Sequence, residues 1–356
     1  MDPTLRHAPY VAHHLVRDAV TAPSLHNSQP WLFTGDATGV DLYAHPARRV
    51  RVADPDGREM VISCGAALFN IRLAMRQLGF VPRVRPFPTP HDPAHLARVD
   101  WGAYRPPDAD EELMHRCLRT RRTHRGPFAA TPLSESLVDD VCRQARLEGA
   151  DLCTVESRWQ RARIAGLVRA AETVQRSDPA QRAELVRWTQ EFTGDRRDGV
   201  PLAACTYHPD CVTLAGRDFV GLTASLPDAP QVWPARTGLV AVLTTRHDSR
   251  AEWLQAGQAL QRVLLYASGH RVLAAFHTQP LEFPHLRAQV RAALLFGQFP
   301  QVILRLGHAA PGAFVPRRPA DDVLRSRLPT ARSPQEESTP WPLPPFPSPT
   351  RPSPSS

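Results

Sequence analysis

Apolar residues recur at helical spacing in two long stretches of the chain, and shorter apolar runs bounded by glycine, proline or aspartate separate them. The first stretch is SCGAALFNIRLAMRQL, residues 63–78. Its Ala67, Leu68, Ile71, Ala74, Met75 and Leu78 share one wide face, and Gly79 supplies the stop. The second is AEWLQAGQALQRVLLYASG, residues 251–269. Gly65 in the first and Gly257 in the second are each followed by apolar positions at the same offsets, as a duplication would leave, although such a helix pattern alone matches many sequences. Ahead of the first helix the pattern predicts a helix over 9–20 and a strand pair over 31–33 and 40–43, joined by a turn at 35–39. Two more strands are expected at 81–87 and 96–101. Around the second helix, the expected elements are helices over 111–120 and 132–145, with Thr131 as the cap of the latter, and strands over 152–155, 239–244 and 301–306.

Two segments break this alternation. Residues 159–233 form a long insertion between two strands of the second half, beginning as an arginine-rich amphipathic helix and continuing less regularly. An insertion of that length inside a compact domain is usually functional. From Arg332 the chain carries nine prolines with Ser, Thr and Glu, a composition that cannot bury enough surface to fold.

Composition narrows the function classes. The chain has 356 residues, 42% of them hydrophobic, enough for a substantial core. Its formal charge of +8 would suit nucleic acid, but the chain has no lysine, and arginine, alanine and 37 prolines together indicate a composition bias. No basic run is interleaved with aromatic residues as a single-strand binder needs, so no nucleic-acid partner is expected. The six scattered cysteines read as small buried hydrophobes rather than a disulfide framework. Cys205, His208 and Cys211 have ligand-like spacing but lack a fourth ligand, so no metal is expected. No signal-peptide pattern and no apolar run near twenty residues appear, so no membrane partner and a cytoplasmic location are expected.

Two motifs carry chemistry. RRTHRGPF, residues 121–128, sets arginines and a hydroxyl after a helix, a group able to make charge-assisted, bidentate contacts to phosphate. APSLHNSQPWLF, residues 22–33, places Ser24, Asn27 and Gln29 in a proline-framed turn beside Trp31. Each alone reads equally as a solvated basic turn or a structural corner. Together with the WLQAGQALQRVLL helix, HTQPLE, and PQVILRLG followed by PRRPADDVL, they resemble the nitroreductase family of flavoproteins, in its single-chain, lid-bearing Acg-type branch. The resemblance covers residues 11–324. In such enzymes the arginine motif opens the chain and the proline–serine–asparagine turn follows; here the order is reversed.

That resemblance implies an α+β, nitroreductase-like fold in which two fused halves, residues 1–105 and 106–330, form an intramolecular pseudo-dimer. The 159–233 insertion would be a lid and 331–356 a disordered tail. It implies one FMN per chain, with Arg121, Arg122 and Thr123 on the phosphate and ribityl side and Arg125 at the pyrimidine edge of the ring. Pro23, Ser24, Asn27 and Gln29 would come from the other half, Arg317 or Arg318 would close on the phosphate, and the stretch His277, Thr278 and Gln279 would pass near the flavin N5. No catalytic side chain is implied, since hydride passes between nicotinamide, flavin and acceptor. The implied function is NAD(P)H-dependent reduction of nitro compounds, quinones or similar small electron acceptors. The alternative is an FMN-sequestering protein, with residues 187–233 packed over the ring and Phe192, Tyr207 and Phe219 available to cover it. A monomer or weak homodimer would suffice.

Overall fold

Both long amphipathic stretches are helices, and they meet at their glycines. The computed structural model describes residues 8–126, 128–190, 195–204, 214, 237–294, 297–310, 312 and 314–326. In its first part α1 (Ala8–Ala19) precedes the hairpin β1 (Trp31–Gly35) and β2 (Gly39–Ala44), then α2 (Arg58–Gln77), β3 (Phe80–Pro86) and β4 (His95–Tyr104). There follow α3 (Ala109–Cys117), α4 (Glu135–Leu147) and β5 (Asp151–Thr154). The insertion contributes α5 (Arg158–Ser177), α6 (Pro179–Trp188) and the two-residue strands β6 (Thr189–Gln190) and β7 (Val200–Pro201). Then come β8 (Leu239–Thr245), α7 (Arg250–Gly269), β9 (Leu273–Phe276), α8 (Pro284–Leu294), β10 (Phe299–Gly307) and β11 (Leu324–Arg325).

These elements form two main sheets. One has the order β11-β1-β2-β4-β3, the other β5-β8-β10-β9. All pairings are antiparallel except that of β1 with β11, where Phe33 faces Leu324. The last strand of the chain thus completes the sheet built by the first. α2 packs on the first sheet, α7 on the second, and the two helices lie against each other. Gly65 and Gly257 make that approach possible: a Cβ on Gly257 would stand 2.0 Å from the Ile62 carbonyl oxygen, and one on Gly65 2.2 Å from that of Leu254. Each glycine is the eighth residue of its helix.

Strand alternation sorts the second sheet's two faces. Ala241, Leu243, Val302, Leu304 and Leu306 face α7, whereas Val240, Val242 and Ile303 face a separate core with α5 and α8. Arg305 belongs by alternation with Ile303, on the face that packs against α5 and α8.

Several expectations need correction. The helix expected over 132–145 begins at Glu135; Ser134, not Thr131, is its cap, and its Oγ accepts from the Leu137 N–H at 3.4 Å. α2 starts five residues before Ser63, because the buried Asp54 carboxylate accepts from the Glu59 and Met60 N–H groups at 3.0 and 2.9 Å and opens the helix there. β9, α8 and β11 were not anticipated. The arginine-rich start of the insertion is α5, with α6 after it. Cys205, His208 and Cys211, the tail from residue 331, and Phe192, Tyr207 and Phe219 lie outside the described residues. Among the described residues no His, Cys, Asp and Glu group could hold a metal, and no helix is long and apolar enough to cross a membrane.

Candidate functional site

The turn after α1 is shaped by backbone that side chains disfavour. His26, Asn27 and Gln29 all have positive φ (49°, 56° and 51°), an arrangement that non-glycine residues adopt only when surrounding contacts fix it. Those contacts are visible. Ser24 Oγ accepts from the Gln29 N–H at 3.0 Å. Asn27 Nδ2 donates to the carbonyls of Gly199 (2.9 Å) and Pro316 (3.0 Å). The result is a rigid corner, presenting Pro23, Ser24 and Asn27 to a cavity of about 600 Å³.

The opposite wall begins where α3 ends. A capping box between Asp108 and Glu111 fixes the start of that helix, and the chain after Cys117 turns to run beside β9. Thr123 bridges Ala274 in parallel, and the His124 N–H donates to the Ala274 carbonyl at 2.8 Å. This registers Arg121, Arg122, Thr123 and Arg125 along the cavity. Arg121 is only 4% exposed, yet its Nε and Nη1 have no hydrogen-bond partner among the described residues. Its Nη2 reaches the Thr21 carbonyl at 3.4 Å. Arg122 stacks its guanidinium over the Phe314 ring, 5.0 Å from the centroid.

Arg317 enters the same cluster, and this separates it from Arg318. Its Nε donates to the Ala22 carbonyl at 3.2 Å and its Nη1 to the Val315 carbonyl at 3.0 Å. Burial, then the charges of Arg121, Arg125 and Arg122, push it down to about 9; burial, then Arg122 and Arg125, push Arg121 down to about 10. Both remain cations at neutral pH, and burial, then mutual repulsion, lowers them with no carboxylate among the described residues in opposition. Arg318 also lines the cavity, but its Nη2 donates to the Asp322 carbonyl at 2.8 Å and its Nε lies 3.8 Å from the Asp322 carboxylate.

An apolar floor and an amide-lined wall complete the site. Ile62 and Ala66 of α2, Leu260 of α7 and Val302 of β10 contribute the floor. The stretch after β9 contributes His277, Thr278, Gln279 and Glu282. Gln279 Nε2 donates to Glu172 of α5 at 3.3 Å, while its Oε1 is buried with no partner among the described residues; Asn27 Oδ1 is in the same state. Gln29 does not face the cavity. Its Nε2 donates to the Asn27 and Arg197 carbonyls at 3.2 and 2.7 Å and its Oε1 accepts from the Arg318 N–H at 2.8 Å, so it braces the turn from behind.

The insertion leans on the first half and reaches the site. Glu184 accepts from the N–H groups of Val52 and Ala53, Trp188 packs with Val50 and Ala53, Arg48 pairs with Asp198, and Val200 reaches the cavity. Sequence reasoning missed Glu59, Glu282, Phe314 and Arg305 as lining residues. Arg305 had a signal: a charge inside the apolar run VILRLG.

No protein-family model matches the chain. Among curated proteins it is similar to Putative NAD(P)H nitroreductase acg of Mycobacterium tuberculosis, 32% identical over 318 residues, covering 88% of this chain and 94% of the relative. A second protein of that organism, also named as a Putative NAD(P)H nitroreductase, is 33% identical over 312 residues, covering 86% and 88%. Among solved structures, the FMN-dependent nitroreductase NfnB from Mycobacterium smegmatis in complex with NADPH is 18% identical at a TM-score of 0.37, covering 60% of this chain and 97% of that one. A nitroreductase with bound FMN from Bacteroides fragilis is 9% identical at a TM-score of 0.33, covering 65% and 98%. Likeness at those scores carries no weight of its own; the two mycobacterial relatives carry the assignment.

Proposed function

The chain belongs to the nitroreductase family, and from that premise we propose that it is an FMN-dependent NAD(P)H oxidoreductase that reduces nitro compounds, quinones or similar small acceptors. One observation carries the reading. Two motifs about a hundred residues apart face one cavity, and the arginine end of that cavity holds buried donors with no partner of their own among the described residues. A dianionic phosphate meets that need, since it can accept from Arg121 and Arg317 together and relieve their mutual repulsion.

The rest of the cavity suits the remainder of FMN. Its volume falls in the range of cofactor pockets. The floor is apolar enough for a flat ring, and the open carbonyl oxygens of Asn27 and Gln279 can accept from ring or ribityl donors. When bound, FMN supplies hydride acceptance and hydride donation. The residues of this chain bind and orient it, and the Arg125 charge stabilises an anionic reduced ring.

The same reading takes the chain as two fused halves sharing one pocket. The equivalent glycines at the α2–α7 crossing and the completion of the first sheet by β11 support it. It takes the insertion as a cover, supported by its contacts with residues 48–53, by the Glu172 contact with Gln279, and by Val200 in the cavity. Anaerobic mixing of purified yellow protein with NADPH or NADH tests the activity: the flavin absorbance should bleach, from one FMN per chain. A flavin that dithionite reduces but neither nicotinamide does would overturn the catalytic reading.

A further inference from the structure

A short piece of the insertion grips the motif turn from outside. The Gly199 N–H donates to the Asn27 carbonyl at 3.3 Å, and the Gly199 carbonyl accepts from Asn27 Nδ2 at 2.9 Å. Gln29 Nε2 donates to the Arg197 carbonyl at 2.7 Å. Arg48 bridges the two segments, its Nε donating to the Ser28 carbonyl at 2.6 Å and its Nη2 pairing with the Asp198 carboxylate. Glycine suits this approach at 199: its φ is 78°, and a Cβ would stand 2.8 Å from the Trp188 carbonyl oxygen. The turn that it meets is the one with His26, Asn27 and Gln29 at positive φ, a conformation that persists only where surrounding contacts impose it.

The same grip decides which way the Asn27 amide points. Both Nδ2 hydrogens go to carbonyl oxygens, of Gly199 and, at 3.0 Å, of Pro316. A flipped amide would set Oδ1 against those two acceptors, so Oδ1 is the atom left over. Asn27 is 5% exposed and lines the cavity, and this oxygen has no partner among the described residues. We propose that residues 197–199 are a strut of the site, and that Arg48 and Asp198 are positioning residues which act through it. Together they hold Asn27 Oδ1 ready to accept from a donor on the bound molecule. This rests on the FMN reading for the identity of that molecule, whose ring N–H and ribityl hydroxyls are the donors. Docking of the strut and binding of the flavin then strengthen each other by the same factor. The phosphate stands outside this coupling. Arg121 belongs to the opposite wall, and Arg317 is held by the Ala22 and Val315 carbonyls.

The test separates positioning from bulk stability. Arg48→Met keeps the side-chain stem and removes both polar contacts. It should bind FMN and riboflavin about tenfold more weakly than wild type. The factor should be the same for each, so that the ratio of the two affinities is unmoved. Asn27→Gly removes the acceptor while tolerating the positive φ. In that background Arg48→Met should cause little further loss, since a residue acting through Asn27 has nothing left to position. Backbone hydrogen exchange reads the strut itself: FMN should slow the Gly199 and Gln29 amides of the wild type, and Arg48→Met should speed both in flavin-free protein. If Arg48→Met does not fold, Asp198→Asn gives the same readings. Wild-type flavin affinity in the variant, an equal loss in the Asn27→Gly background, or Gly199 exchange indifferent to FMN and to Arg48 would overturn the proposal. A wild type that binds neither flavin would instead refute the cofactor reading, and exchange in flavin-free Arg48→Met would still decide the strut.

Discussion

Arg98 on β4 and Arg121 after α3 are both drawn largely out of water, but their charges meet different fates. Arg98 contacts three carboxylates: Asp36 at 2.9 Å, Asp41 at 2.5 Å and Asp100 at 2.8 Å. Despite its own desolvation, its hydrogen bonds to Asp36 and the charge of Asp41 push it above the usual arginine value. Arg121 is buried beside Arg122, Arg125 and Arg317, has no ion pair among the described residues, and is pushed the other way. An arginine that serves the fold carries its counterion in the chain; one that serves a ligand waits for it. On the proposed reading, the cost of the second arrangement is what phosphate binding recovers.

Breaking the first kind should have the largest effect. Arg98→Ala removes the cation shared by three carboxylates, leaving Asp41 with His95 and Asp100 with Arg85 alone, and should destabilise the protein by about 3 kcal/mol, leaving FMN content unchanged. Denaturant unfolding followed by flavin fluorescence reads both. The second kind should behave in reverse. Arg121→Ala should weaken FMN binding by roughly ten- to a hundredfold, matching about 1.5–3 kcal/mol for a hydrogen bond to a charged group. The flavin-free variant should be no less stable than flavin-free wild type, because an uncompensated cation has been removed. A large loss of stability in flavin-free Arg121→Ala would erase the distinction.

A pH-dependent effect extends the comparison to an acid. Asp54 is buried next to Glu59, and burial, then that neighbouring charge, pushes its carboxyl up to about 7 despite two N–H donors. A group that binds its proton more tightly when folded stabilises the fold at low pH and loses that contribution as pH rises through its folded value. Stability should therefore fall between about pH 4 and 7 by on the order of 1 kcal/mol per pH unit from this group, and Asp54→Asn should remove that slope. Unfolding curves at three pH values in that range are sufficient.

The contrast also explains what could be read from the chain alone. The long helices were legible because α2 and α7 carry apolar residues at helical offsets, and their crossing was foreshadowed by Gly65 and Gly257 at matching positions. The two motifs pointed to chemistry only together, through the resemblance that they carry, since RRTHR alone reads as a basic turn and PSLHN alone as a structural corner. β9 was not legible, since LAAF carries too little apolar signal, and β11 forms only through β1, some three hundred residues earlier. Arg317 and Arg318 could not be separated, because adjacent residues with the same side chain differ only in what surrounds them. Gln29 was read with its motif, yet its amide is consumed by Asn27, Arg197 and Arg318, partners no local pattern reveals.

The central claim is that the arginine cluster exists to hold a phosphate, and riboflavin is FMN without one. Titration of flavin-free protein with each, by fluorescence quenching, isolates that group. Wild type should bind FMN at least a hundredfold more tightly than riboflavin. In Arg121→Ala and Arg317→Ala the gap should shrink by tenfold or more, with riboflavin affinity unchanged. Equal affinity of the wild type for the two flavins, or parallel loss of both in the variants, would contradict the account.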